Sequence, residues 1–144
     1  MITGENMKII YMGTPDFAVP PLELLFKNDY RVELVITQPD KARDRGKKVQ
    51  FSAVKKKALE LGIEVLQPEK VKGNAELIER IKDTDPDLII VAAYGKILPL
   101  ELLEIPRLGC INIHASLLPK YRGAAPIHRS IIEGETETGI TLMY

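Results

Sequence analysis

Short apolar runs alternate with segments of helical period along most of the chain. Residues 8–12 (KIIYM) read as a buried strand that stops at Gly13. Pro20-Pro21, followed by Leu22, Leu24, Leu25 and Phe26, predicts a helix opened by proline, whose missing amide is no loss in a first turn. Residues 31–37 (RVELVIT) are rich in β-branched side chains and strand-like. Ser52 is a good N-cap for a helix running to about Leu61, with Gly62 as its stop. A short strand is expected over 64–66, then a helix capped by Asn74 that runs to about Lys82 and is blocked by Pro86. Residues 87–93 (DLIIVAA) form the most apolar strand, and residues 109–115 (GCINIHA) another. A helix from near Pro126 and a last strand over 138–143 complete the pattern.

Strands alternating with helices predict an α/β fold, a Rossmann-like and mostly parallel sheet with helices on both faces. In such sheets ligands bind outside the carboxyl ends of the strands, where the strand order switches. The first turn, Gly13-Thr14-Pro15-Asp16-Phe17-Ala18, lacks the G-x-G-x-x-G spacing that brings backbone amides to a pyrophosphate, and the chain has no G-x-x-x-x-G-K-[ST]. Dinucleotide and ATP binding are therefore disfavoured. Gly13 is expected to permit a tight turn, with Thr14 or Asp16 capping the segment after it.

Composition alters this picture little. Hydrophobic residues at 45% and charged residues at 28% describe an ordinary globular domain of 144 residues. No apolar run approaches the ~20 residues of a membrane span. The first six residues have neither the basic nor the apolar region of a signal peptide, and read as a loose extension before Met7. The single Cys110 excludes an intrachain disulfide and a cysteine-based metal cluster. A cytoplasmic monomer without a metal is the expectation.

Charge alters it more. The net charge is zero, yet residues 41–57 hold eight basic side chains (Lys41, Arg43, Arg45, Lys47, Lys48, Lys55, Lys56, Lys57) against Asp44 alone. That window is +7 and the rest of the chain −7. Such a patch suits a local anionic partner, or simply a solvated helix and loop.

Residues two apart on a strand share a face, so Asn112 and His114 project together while Ile111 and Ile113 face apolar packing. An amide donor beside an imidazole at a strand's carboxyl end suits chemistry at a carbonyl, where donors aimed at a developing oxyanion lower the barrier. The same pair also suits a histidine that merely ties strand to loop. The segment after it, residues 116–126, carries Leu117 and Leu118 between Ser116 and Pro119, an apolar wall for a flat ligand. Gly123 allows close backbone approach there, and Arg122 offers a planar five-donor fork.

The run from Asn112 through Ile113, His114, Ala115, Ser116, Leu117, Leu118, Pro119, Lys120, Tyr121 and Arg122 to Gly123 resembles the signature of the 10-formyltetrahydrofolate-dependent formyltransferases. The resemblance extends over essentially the whole chain from Met7. Residues 12–20 (MGTPDFAVP) resemble the first turn of the members that act on methionyl-tRNA, and residues 37–48 resemble the basic loop those members place against the acceptor arm.

The resemblance implies a formyl group passed from 10-formyltetrahydrofolate to the α-amino group of initiator methionyl-tRNA. Asn112 and His114 would be catalytic, stabilising the oxyanion and managing the proton. Ser116, Leu117, Leu118 and Pro119, with Tyr94, Gly95 and Ile97, would line the folate site. Arg43, Arg45, Lys47 and Lys48 would meet tRNA phosphates, while Lys55, Lys56 and Lys57, spread around a helix, are left to the solvated face. Residues 1–144 would then be the amino-terminal folate-binding domain, incomplete at its carboxyl end and without the family's separate carboxy-terminal tRNA-binding domain. The family's third catalytic group, an aspartate, would follow Tyr144, so little or no transfer is expected of the chain alone. Two other readings share many of these residues: a formyltransferase for an amino-sugar nucleotide, and a folate- or tRNA-binding module without catalysis.

Overall fold

Strand β1 (Lys8–Gly13) lies inside a six-stranded sheet, with strand β2 (Arg31–Ile36) on one side and strand β6 (Leu88–Ala92) on the other. The structure is a computed structural model that describes residues 7–43, 48–113 and 140–143, with backbone alone at 42, 43, 48 and 140–143. The remaining strands are β3 (Lys41–Arg43), β4 (Lys48–Gln50), β5 (Val65–Leu66), β7 (Cys110–Ile113) and β8 (Ile140–Met143). Sheet order is β5-β2-β1-β6-β7-β8, parallel throughout except for the antiparallel β7–β8 pair. The chain runs outward from β1 through β2 to β5, then returns to lay β6 against the other side of β1. The switch in strand order therefore falls between β1 and β6.

Alternation within the strands builds two cores. Ile9 and Tyr11 of β1, Val35 of β2, Ile90 of β6 and Ile113 of β7 face helices α1 (Val19–Lys27) and α2 (Ala53–Glu60). Ile10, Met12, Leu34, Ile36, Ile89, Val91 and Cys110 face helices α3 (Ala75–Thr84) and α4 (Leu100–Leu103). Each fully buried leucine or isoleucine contributes about 1.5–3 kcal/mol, so sequestering both faces explains the near-continuous apolar strands.

Local chemistry sets the helix ends. The Ser52 hydroxyl accepts from Lys55 N at 3.0 Å, and Asn74 Oδ1 accepts from Leu77 N at 2.9 Å, the two caps expected from sequence. Gly62, at φ +73°, follows α2 where a left-handed residue is wanted. The third helix runs to Thr84, two residues further than expected, and Asp85 closes it at φ +52° just before Pro86. Two elements were not anticipated: α4, a single turn, and the antiparallel β3–β4 hairpin. The last strand was expected, and Ile140–Met143 lies beside β7. The helix expected near Pro126 lies outside the described residues.

Candidate active site

The carboxyl ends of β1, β2 and β6 converge at the switch in strand order. Gly13 stands opposite Ala92, and a Cβ there would come within 2.8 Å of the Ala92 carbonyl oxygen and 3.0 Å of Ala18 Cβ. Glycine is required at this position for close approach, not for an unusual φ. Thr14 does not cap the 3-10 turn beside it (Asp16–Ala18), and neither does Asp16. The cap position belongs to Pro15, and the Thr14 hydroxyl donates across the sheet end to the Tyr94 carbonyl at 3.0 Å. Tyr11 closes the first turn from below, its hydroxyl donating to the Ala18 carbonyl at 2.5 Å. Burial drives that phenol far above its usual range, so it remains a donor. The Thr14 carbonyl accepts from Val54 N at 3.4 Å, joining the turn to α2.

Beyond β6 the backbone leaves its usual regions. Ala93 has φ +53° and Gly95 φ +99°, with Tyr94 between them. A left-handed alanine costs roughly 1–2 kcal/mol, and burying a tyrosine ring returns about 4–6 kcal/mol at ordinary area coefficients. The Tyr94 ring is 2% exposed in the α3/α4-side core, so its burial sustains the strain. Its hydroxyl meets no hydrogen-bond partner among the described residues, and burial pushes it up to about 12. Tyr94 thus turns its main chain, not its ring, toward the strand ends. Gly95 and Ile97 are exposed, Ile97 at 92%, and the Lys96 ammonium donates to the Glu69 carbonyl.

On β7, Asn112 stands opposite Val91 of β6 and Thr141 of β8, half-buried, on the same face as Cys110. Ile111 and Ile113 pack into the opposite core. Burial pushes the Cys110 thiol up to about 11, which suits packing and not a nucleophile. His114 and the segment with Ser116, Leu117, Leu118 and Pro119 lie outside the described residues.

The basic segment, read from sequence as a loop, has hairpin stems. Arg43 stands opposite Lys48 at the described end of β3–β4, while Arg45 and Lys47 lie outside the described residues. The helix lysines go elsewhere. Lys55 binds the Asp40 carboxylate at 2.9 and 3.0 Å and lies 3.6 Å from the Phe51 ring centroid. Lys57 pairs with Glu60 at 2.6 Å and Glu23 at 3.3 Å, and Lys56 is exposed. The Lys55 hydrogen bond, then that from Gln67 at 2.6 Å, holds the Asp40 carboxyl below its ordinary value. The hairpin root is therefore pinned to α2 and to the link after β5.

A cleft of about 480 Å³ opens between hairpin, first turn and α2, lined by Thr14, Asp16, Gln38, Lys41, Phe51 and Lys56 among others. Its floor is braced by a 2.7 Å hydrogen bond between the hydroxyls of buried Thr37 and Ser52. Sequence reasoning missed Tyr11, the Thr37–Ser52 pair and the Gln38 side chain as parts of this region. A polar Thr-Gln pair directly after an apolar strand was the available signal.

The family described as formyl transferase matches residues 7–144. A methionyl-tRNA formyltransferase of Caldanaerobacter subterraneus is 62% identical over 137 residues, covering 95% of this chain and 44% of that relative. One from Clostridioides difficile is 56% identical over 138 residues, covering 96% and 44%. The chain thus spans less than half the length of these curated relatives. Among solved structures, a phosphoribosylglycinamide formyltransferase from Streptococcus pneumoniae aligns with a TM-score of 0.55 at 23% identity, covering 90% of this chain and 68% of that one. Its counterpart from Bacillus halodurans gives 0.57 at 18%, covering 90% and 66%. These two likenesses establish the fold.

Proposed function

The chain belongs to the formyl transferase family, and from that premise we propose that the protein moves a formyl group from 10-formyltetrahydrofolate to the α-amino group of methionyl-tRNA. The observation that carries the reading is the identity of 56–62%, over 95% of the chain or more, to relatives named for methionyl-tRNA. The hairpin supports it, because positions Lys41, Arg43 and Lys48 belong to its stems, whose root borders the cleft.

In this reading the amine nitrogen attacks the formyl carbon, and the carbonyl oxygen takes on negative charge. The bond to the folate nitrogen then breaks, and the proton lost by the amine passes to that nitrogen. Asn112 donates its amide N–H to the oxygen, and His114 shares that role and handles the proton. The folate lies against Tyr94, Gly95 and Ile97, with Ser116, Leu117, Leu118 and Pro119 as the facing wall. The exposed Ile97 beside left-handed main chain fits a flat ring with polar edges. Arg43, Arg45, Lys47 and Lys48 take acceptor-arm phosphates, and the methionyl end enters the cleft.

The test is transfer of labelled formyl from 10-formyltetrahydrofolate to methionyl-tRNA by the full-length protein, with Arg43→Glu/Arg45→Glu beside it. The variant is expected to use tRNA poorly while binding folate normally. It should also flatten the salt dependence of tRNA binding, by roughly one log unit per log salt for each phosphate no longer neutralised. Unchanged use of tRNA would remove the hairpin from the reaction.

A further inference from the structure

Gln38 occupies a position that neither the cleft nor the strand-end wall alone explains. It lines the cleft, and it is the second residue of the four-residue link Thr37-Gln38-Pro39-Asp40 from β2 to the hairpin strand β3. Pro39 fixes one backbone dihedral of that link, so the hairpin root is short and stiff. The Gln38 side chain leaves the root altogether and crosses to the end of β6, where its amide nitrogen donates to the Tyr94 carbonyl at 3.0 Å. A Cβ on Gly95 would lie 2.8 Å from that same nitrogen, so the absence of a side chain at position 95 makes the seat for the amide. The Gln38 main-chain carbonyl accepts from Gln67 at 3.3 Å, and Gln67 and Lys55 hold Asp40 two residues on. Of these contacts, the Gln38 side chain is the one that runs from hairpin root to strand-end wall. The Thr14 hydroxyl reaches the same carbonyl, but from the first turn.

We propose that Gln38 is a positioning residue that couples the basic hairpin to the Tyr94-Gly95 wall, so that a ligand on one side is felt on the other. The assignment of the two sides to tRNA and folate rests on the function proposed above. The contact is suited to that role because the wall is held in left-handed backbone at Ala93 and Gly95. At Ala93, which is not glycine, such backbone persists only while its surroundings determine it. Drawing the hairpin root toward a ligand pulls on the Tyr94 carbonyl. Seating a ring against Gly95 likewise presses on the Gln38 amide.

The experiment measures binding of uncharged initiator tRNA to the full-length protein with and without saturating tetrahydrofolate, a pair that cannot react. In the wild type the two affinities are expected to differ by about fivefold or more, the lower end of ordinary coupling between sites. Gln38→Leu keeps the bulk and removes the donor. It should bring that ratio toward one, by about twofold or more, the lower worth of one hydrogen bond, with little change in Tm. A ratio of one in the wild type, or a ratio that Gln38→Leu leaves intact, overturns the coupling. Hydrogen exchange in the unliganded Gln38→Leu protein supplies an arm that needs no substrate: amides of 41–50 and 93–99 should loosen together. Loosening of one segment alone also overturns the proposal. A wild type that binds neither ligand sinks the formyl-transfer reading instead, and hydrogen exchange still decides whether Gln38 joins the two segments.

Discussion

At the amino ends of the strands, the Asp87 carboxylate accepts from Lys8 N at 2.8 Å and from Arg107 Nε at 2.8 Å. Its main chain completes the knot, with Asp87 N bonded to the Lys8 carbonyl and Leu108 N to the Asp87 carbonyl, both at 2.8 Å. At the carboxyl ends, one main-chain oxygen at Tyr94, between left-handed Ala93 and Gly95, collects two neutral donors beside a cleft. The lower cluster is charged, and its carboxylate is satisfied within it. The upper one is neutral and open, and it carries a buried hydroxyl with no partner among the described residues. A satisfied carboxylate has nothing left to offer a ligand, so it holds strands together. The open end keeps its shared acceptor on main chain and lets ring burial nearby sustain the strain.

The contrast between the two ends is tested most severely at Asn112. In the full-length protein Asn112→Ala is expected to lower kcat per folded molecule by about 10²–10³, or ~2.7–4 kcal/mol of barrier. A drop in stability with kcat per folded molecule intact would move Asn112 to the structural side.

Asp87→Ala should do the reverse, costing about 1–3 kcal/mol of stability by denaturant titration through the unpaired Lys8 amide and leaving formyl transfer per folded molecule unchanged. The bond from Lys8, and then Arg107, holds the Asp87 carboxyl below its ordinary value of 3.8. Its contribution is therefore fully present above that ordinary value and is lost as pH falls through the lower, folded-state one. The stability gap between wild type and Asp87→Asn should accordingly be flat near neutrality and close in acid. A gap that opens as pH falls would contradict the assignment.

The smallest effect falls at Tyr94. Tyr94→Phe removes a buried hydroxyl that has no partner among the described residues and should raise stability by up to ~1 kcal/mol, with folate affinity unchanged because the main chain faces the strand ends. A destabilised variant would mean the hydroxyl has found a partner.

Much of the lower architecture could be read from the chain because its causes are local. Ser52 and Asn74 cap their helices through side chains that reach only three residues ahead, and alternation along 8–12 and 87–93 shows in neighbouring letters. Other features resisted for physical reasons. The hairpin stems are three residues each and mostly charged or polar, too short for any period to show. Helix α4 is one turn. Thr14 or Asp16 was expected to cap the turn, but the Thr14 hydroxyl, beside a sheet end, has a better acceptor 80 residues away. Of the site itself, Asn112 stands on the strand and face expected, while nothing short-range announces that Gln38 must lie over Gly95.

The place of β1 between β2 and β6 also sets a schedule for synthesis. Ile9 pairs with Val32 and, on its other edge, with Leu88. A ribosome adding about 5–20 residues per second delivers β1 and β2 early, then spends roughly 3–10 s before the strand that covers the second edge of β1 is made. For that interval the nascent chain carries an apolar strand with one open edge. The central strand of the finished sheet is thus the segment most in need of a chaperone's attention at birth.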